Sequence, residues 1–334
     1  MPGSCWQVLG LFLLGYYSAG LPIQGRAALV RKEGTGARIK RMKMNKLDPL
    51  RLSDQAPLLV FAHANGYPPQ AYRTFLTPFL DDYQVFSLYL RSFWPGTDPQ
   101  EMRDWRAFRD DYLPEVHSLI EKYGKRTESS GSVIGVGHSL GAMTTLMAAI
   151  KDPGLFRLLV LMEPVLFPRW QGTAMRLLAP FKLIKRIHPL IQGTLKRKTW
   201  FESREAMYQR YRVKPVFSGL SDQVLRDYVE GLAVEDAEGG VSLRYTPAWE
   251  ARIYETGGIA DWYIWRNLDK VECPVLVIRG EDTYVLFDRV INSMVGKLPA
   301  GEGYTMAGTG HLVPLEKPLK TAEVVRGFIR KYLN

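Results

Sequence analysis

The chain has 334 residues, 46% of them hydrophobic and 23% charged, with a formal net charge of +10. That length can bury a large core, and no internal repeat or low-complexity tract suggests a solenoid. The two cysteines make no disulfide framework, no cluster of histidine, cysteine and carboxylate has metal-site spacing, and the positive balance comes without a recognisable nucleic-acid reading module, so no nucleic-acid partner is expected.

The first 25 residues carry no charged side chain, and Val8 to Leu21 is an apolar stretch of signal-peptide length. The basic residues follow it, at Arg26, Arg31, Lys32, Arg38, Lys40, Arg41 and Lys43, which is the reverse of a secretory signal and closer to a signal anchor. The stretch is short for a membrane span. A start at Met42 or Met44 is the favoured reading. Residues 1–43 then form a leader or upstream extension, expected to be disordered, and carry +6 of the charge (seven basic groups against one acidic), leaving +4. A cytoplasmic location follows, with secretion or membrane anchoring the alternative if the apolar segment is genuine.

Leu58 to Ala62 is a continuous apolar run, the pattern of a central strand covered on both faces. It ends in the turn-forming segment His63 to Pro69. Val85 to Leu90 reads as a second strand, and Trp105 to Tyr123 as a helix with Phe108, Tyr112 and Leu119 on one stripe. A further apolar run, Ser132 to Val136, leads into Gly137-His138-Ser139-Leu140-Gly141 and the helical pattern Ala142 to Ile150. A serine on a strand-to-helix turn between glycines is exposed at the end of a sheet, so Ser139 is a candidate nucleophile. Acyl transfer would also need fixed N–H donors for the oxyanion, and the backbone amides of Asn65 and Leu140 are the candidates.

Leu158 to Met162 reads as the next strand and is followed by Glu163-Pro164. Residues 165–261 then show several helical signals, among them Ala174 to Ile187 and Ser221 to Leu232, and few strand signals. Eight lysines and arginines and no acidic residue occur from Val165 through Phe201, the pattern of a solvated helical face or, less favoured, of membrane-surface contact. Phe167, Trp170, Phe181, Trp200, Phe201, Tyr208, Tyr211 and Phe217 could line an apolar pocket or form this region's own core. Pro274 to Ile278 is another strand, and Gly308 to Pro314 is a late loop before the helical pattern Leu319 to Tyr332. Of the five histidines, only His311 combines a loop position with the chain order serine, acid, histidine; its ring can take and return the serine proton near neutral pH. The alternation of strands and helices implies a parallel sheet with active groups beyond the strands' carboxyl ends.

The segment His63-Ala64-Asn65-Gly66, the elbow at Ser139 and the late His311 together resemble the serine-nucleophile branch of the α/β-hydrolase superfamily, over Leu58 to Tyr332. The resemblance implies an α/β fold with a mostly parallel eight-stranded sheet covered by helices and a helical cap inserted after the sixth strand. It divides the chain into a core of 44–164 and 262–334 and a cap of 165–261. It implies a Ser-His-acid hydrolase of an ester or related acyl bond, carboxylesterase-like, with no cofactor and a small, partly apolar acyl substrate. A thioesterase, an amidase, a carbon–carbon bond hydrolase or a non-catalytic binding protein on the same scaffold are the alternatives. The family usually places its acid after the strand at Pro274 to Ile278, so Asp282 is the first candidate, displaced by one residue because Thr283 stands at the usual position. Glu163, at the preceding strand end, is the alternative acid.

Overall fold

The computed structural model describes residues 45–46, 56–124, 133–178 and 189–333. The expected leader lies outside them, as do Phe181, Lys182, Lys185, Arg186 and the second half of the helix expected from Ala174 to Ile187.

Seven strands form the main sheet among the described residues, where eight were expected. They are β1 (Asn45–Lys46), β2 (Leu58–Ala62), β3 (Gln84–Leu88), β4 (Val133–His138), β5 (Phe156–Met162), β9 (Val275–Gly280) and β10 (Gly301–Met306), in the spatial order β1-β3-β2-β4-β5-β9-β10. All neighbouring pairs are parallel except β1 with β3. The apolar runs occupy the middle of the sheet because a strand covered on both faces has no polar face to present. Leu59, Val60 and Phe61 have no exposed surface, and each such side chain contributes about 1.5–3 kcal/mol by leaving water.

The order turns back at β2. Its successor β3 lies on one side and β4 on the other, so a crevice opens between the carboxyl ends of β2 and β4. The helix α2 (Leu140–Lys151) starts at this crevice, after the earlier helix α1 (Arg106–Tyr123). Gly141 lets it start there, since a Cβ at this position would lie 2.1 Å from the Ala62 carbonyl oxygen.

Between β5 and β9 the chain inserts a helical region. It contains α3 (Arg169–Leu178), α4 (Pro189–Leu195), α5 (Arg204–Arg212), α6 (Asp222–Leu232), α7 (Pro247–Thr256) and α8 (Asp261–Asn267). Ser221 caps α6 by accepting from the Val224 amide, and Thr246 caps α7 in the same way. The region also holds a three-stranded antiparallel sheet of β6 (Trp200–Phe201), β7 (Ala233–Glu235) and β8 (Val241–Leu243), which the sequence pattern did not suggest.

The insertion is tied down at several points. The Phe167 amide donates to Asp261 Oδ2 at 2.8 Å and Trp265 Nε1 donates to the Phe167 carbonyl at 2.8 Å, joining its entering and leaving ends. Arg252 donates to the Met102 carbonyl, and Trp105 Nε1 to that of Ile253. After β9, helix α9 (Asp288–Val295), β10 and helix α10 (Pro318–Leu333) complete the fold. Among the described residues, no helix is long and apolar enough to cross a membrane.

Candidate active site

Ser139 occupies the turn between β4 and α2 with φ 54° and ψ −115°. A non-glycine residue in that region is strained, and the strain turns the side chain out of the strand direction. Its Oγ lies 3.0 Å from His311 Nε2. The other ring nitrogen, Nδ1, lies 2.9 Å from Glu163 Oε2. With a carboxylate as acceptor at Nδ1, the ring is the Nδ1–H tautomer and Nε2 is free to accept the serine proton.

Glu163 follows β5 directly and is the other non-glycine residue with positive φ, at 50°, among the described residues. Its side chain is fully buried, and three donors satisfy it. Besides His311, the Gly280 amide donates to Oε1 at 2.6 Å and Thr283 Oγ1 donates to Oε2 at 2.6 Å. Gly280 also packs against the histidine loop, where a Cβ would lie 2.1 Å from the Gly310 carbonyl oxygen.

The geometry corrects the expectation for Asp282. That residue is exposed, and its backbone amide donates to the Thr309 carbonyl at 2.9 Å. The end of β9 and the loop after it supply donors to a carboxylate just beyond the neighbouring strand β5, instead of supplying the carboxylate. Thr283 was the available signal: at the position where an acid is usual, it carries the hydroxyl that holds Glu163.

Asn65 lies on the loop leaving β2, and Leu140 opens α2 just after the turn that follows β4. Leu140 is the first residue of α2, so its amide has no acceptor within the helix. Two buried groups brace these loops. His138 Nε2 lies 2.9 Å from the His311 carbonyl and Nδ1 lies 2.8 Å from the Tyr72 hydroxyl, which in turn accepts from the Ala64 amide at 3.1 Å. Burial, reinforced by the neighbouring His311, lowers the His138 pKa to about 3, so the ring is a neutral strut. Burial likewise lowers His63 to about 4; its Nε2 accepts from the Leu90 amide. Tyr72 carried no local sequence signal for this role.

The aromatic residues of the insertion divide. Phe201, Tyr208, Tyr211 and Phe217 are buried; Tyr211 and Phe217 pack with Tyr228, and Tyr67 of the loop after β2 packs against Phe217 and Tyr228. Trp170 and Trp200 are exposed. Nearer the site stand Tyr245, whose hydroxyl donates to Asn65 Oδ1, and Tyr284, whose ring centroid is 6.3 Å from that of His311. The basic stretch also divides, since Arg197 is drawn inward to pair with Glu250 at 2.6 Å while Arg169, Lys196 and Lys198 stay exposed.

A serine, a histidine and a buried carboxylate in one hydrogen-bonded row form the geometry of serine-nucleophile acyl hydrolysis. The profile of the alpha/beta hydrolase family matches residues 59–324, across the sheet, the insertion and all three of these groups. The chain belongs to the alpha/beta hydrolase family. Within that family it is 27% identical over 208 residues to the uncharacterized hydrolase YugF of Bacillus subtilis (strain 168), spanning 58% of this chain and 64% of that relative. The alignment thus covers just under two thirds of YugF's own length. Among solved structures, E-2-(acetamidomethylene)succinate hydrolase superposes with a TM-score of 0.65 at 18% identity, covering 87% of this chain and 100% of that one. The peroxisomal α/β-hydrolase Lpx1 of Saccharomyces cerevisiae gives 0.64 at 18% identity, covering 85% and 80%. At such identities the likeness of these alpha/beta hydrolases is one of fold.

Proposed function

We propose that this alpha/beta hydrolase is a carboxylesterase-like enzyme that cleaves an ester of a small, partly apolar acid through an acyl-enzyme. Ser139 is the nucleophile, His311 the general base and acid, and Glu163 the carboxylate that orients the ring. The observation that carries this reading is the unbroken row from Ser139 Oγ through both ring nitrogens of His311 to Glu163. His311 Nε2 takes the hydroxyl proton as Oγ attacks the acyl carbon, and the buried carboxylate stabilises the imidazolium that forms. The backbone amides of Asn65 and Leu140 hold the tetrahedral oxyanion. His311 then passes the proton to the leaving oxygen, and water repeats the sequence to release the acid. The core comprises residues 44–164 and 262–334, and residues 165–261 form the cap that excludes water and selects the acyl group.

Matched ester, thioester and amide substrates of one acid separate this reading from the other chemistries of the fold. The expected result is the highest kcat/KM for the ester and its loss in Ser139→Ala. A preference for the thioester or amide would reassign the leaving group, and undiminished turnover by Ser139→Ala would remove the nucleophile.

A further inference from the structure

Glu163 reaches His311 from the end of β5, and its two oxygens are held differently. Oε1 accepts from the Gly280 amide at 2.6 Å, whereas Oε2 serves both His311 Nδ1, at 2.9 Å, and the Thr283 hydroxyl, at 2.6 Å. The acceptor lone pairs of a carboxylate lie in its plane, so donors on both oxygens fix that plane. With the Gly280 amide alone, the group could turn about its last bond and carry Oε2 off Nδ1.

The direction of the Thr283 hydroxyl is fixed as well. Its oxygen accepts from the Val285 amide at 3.2 Å, and a carboxylate can only accept, so the hydroxyl proton goes to Oε2. Thr283 is buried, and its β-branched side chain holds one rotamer more firmly than a serine would. The turn that carries it is tied to the histidine loop on both sides of the gap: the Asp282 amide donates to the Thr309 carbonyl at 2.9 Å, and the Gly308 amide donates to Glu281 Oε2 at 2.9 Å. A hydroxyl that accepts from the amide two residues on is also an ordinary turn closure. In that role alone it would bear on folding and not on Ser139.

We propose that Thr283 is a positioning residue for acyl transfer: its hydroxyl holds Glu163 Oε2 against His311 Nδ1 and so keeps Nε2 aimed at Ser139 Oγ. The charge at the end of the row then comes from β5, and its aim comes from the turn after β9. This inference rests on the reading of Ser139, His311 and Glu163 as one catalytic row and adds a fourth side chain to it. The hydroxyl touches no reacting atom. Acylation and deacylation both pass through His311, so both slow together when its aim is lost, and KM stays where it was.

Kinetics on an ester that the wild type turns over test it with two variants, Thr283→Val, which keeps the shape without the hydroxyl, and Thr283→Ser, which keeps the hydroxyl. Thr283→Val is expected to lower kcat by about 10- to 100-fold with KM within about twofold of wild type, the loss of a hydrogen bond to a charged group, and Thr283→Ser to recover most of it. In the Glu163→Gln background Thr283→Val should cost less than about threefold more, because the hydroxyl acts through the carboxylate. A wild-type kcat in Thr283→Val overturns the proposal. So does a loss confined to KM, a loss that Thr283→Ser does not recover, or one of equal size in the Glu163→Gln background. Should Thr283→Val fail to fold, Thr283→Cys decides: a thiol is a weak donor in the same place, so kcat is expected to fall, and a wild-type kcat overturns the proposal. Absence of any Ser139-dependent turnover removes the hydrolase reading and this one together; Ser139-dependent turnover that loss of the hydroxyl leaves intact removes this one alone.

Discussion

Ser139 and Glu163 are the two non-glycine residues at positive φ among those described, and both point at His311. Such backbone costs of order 1–3 kcal/mol each persist where the surrounding structure fixes them, and here they aim the two ends of one hydrogen-bonded row. The serine end was legible in the sequence because glycines and a strand-to-helix change flank it. The acid end was not, since Asp282 and Glu163 both stand at strand ends and the choice depends on the φ of Glu163, which no residue type encodes. Kinetics separate the two carboxylates. Glu163→Gln is expected to lower kcat by about 10³- to 10⁴-fold, because a neutral amide no longer stabilises the imidazolium. Asp282→Asn is expected to stay near wild type, and a large loss in that variant instead would return the role to Asp282. The two buried histidines predict acid lability. Unfolded, each takes a proton below about pH 6.5, whereas folded His63 and His138 resist until about 4 and about 3. Their contribution is thus complete above pH 6.5 and is lost as the pH falls from there toward 3. Denaturant midpoints measured across that window should decline with acidification, and a rise would contradict the neutral-strut assignment.

At the level of elements, the sheet order and the close approach of α2 put the Ser139 turn beside the loop that follows β2. Long apolar runs made the parallel strands readable, whereas the small antiparallel sheet of the insertion has strands of two or three residues, too short to show a period. Gly141→Ala tests the close approach. The added methyl would meet the Ala62 and His63 carbonyl oxygens at 2.1 and 2.7 Å, all backbone, so a loss of about 3 kcal/mol or more is expected in denaturant unfolding. A variant of unchanged stability would mean that α2 does not start against β2. The clasp between Phe167 and Asp261 gives a pH prediction of the opposite sign. Burial raises the Asp261 pKa from 3.8 to about 7. The folded state therefore keeps a proton that the unfolded chain has released, and this group's contribution falls as the pH rises from about 4 through 7. Asp261→Asn keeps an oxygen for the Phe167 amide without the ionisation. It should gain on the wild type with rising pH, by a few kcal/mol at most above pH 7, and a constant difference between the two from pH 5 to 8.5 would contradict the buried-acid account.

Across the whole molecule, the insertion is joined to the rest of the fold through contacts distant in sequence, such as Tyr245 with Asn65 and Arg252 with Met102. Distances of that kind leave no local pattern, which is why the sequence located a cap but not the residues it presents to the site. Four of the eight aromatic residues that suggested a pocket lining, Phe201, Tyr208, Tyr211 and Phe217, are buried packing side chains. Phe217, packed against Tyr67, Tyr211 and Tyr228, is accordingly a stability residue: Phe217→Ala should cost about 3–5 kcal/mol in unfolding free energy. A changed acyl preference at unchanged stability would instead place it at the substrate. The central claim, that this fold carries out acyl transfer from Ser139, is tested most directly by treating the intact protein with a fluorophosphonate probe and locating the adduct by peptide mass spectrometry. One adduct per chain, on Ser139 and absent from Ser139→Ala, is the expected result; an adduct on another residue, or none on a folded protein that still hydrolyses esters, would contradict it.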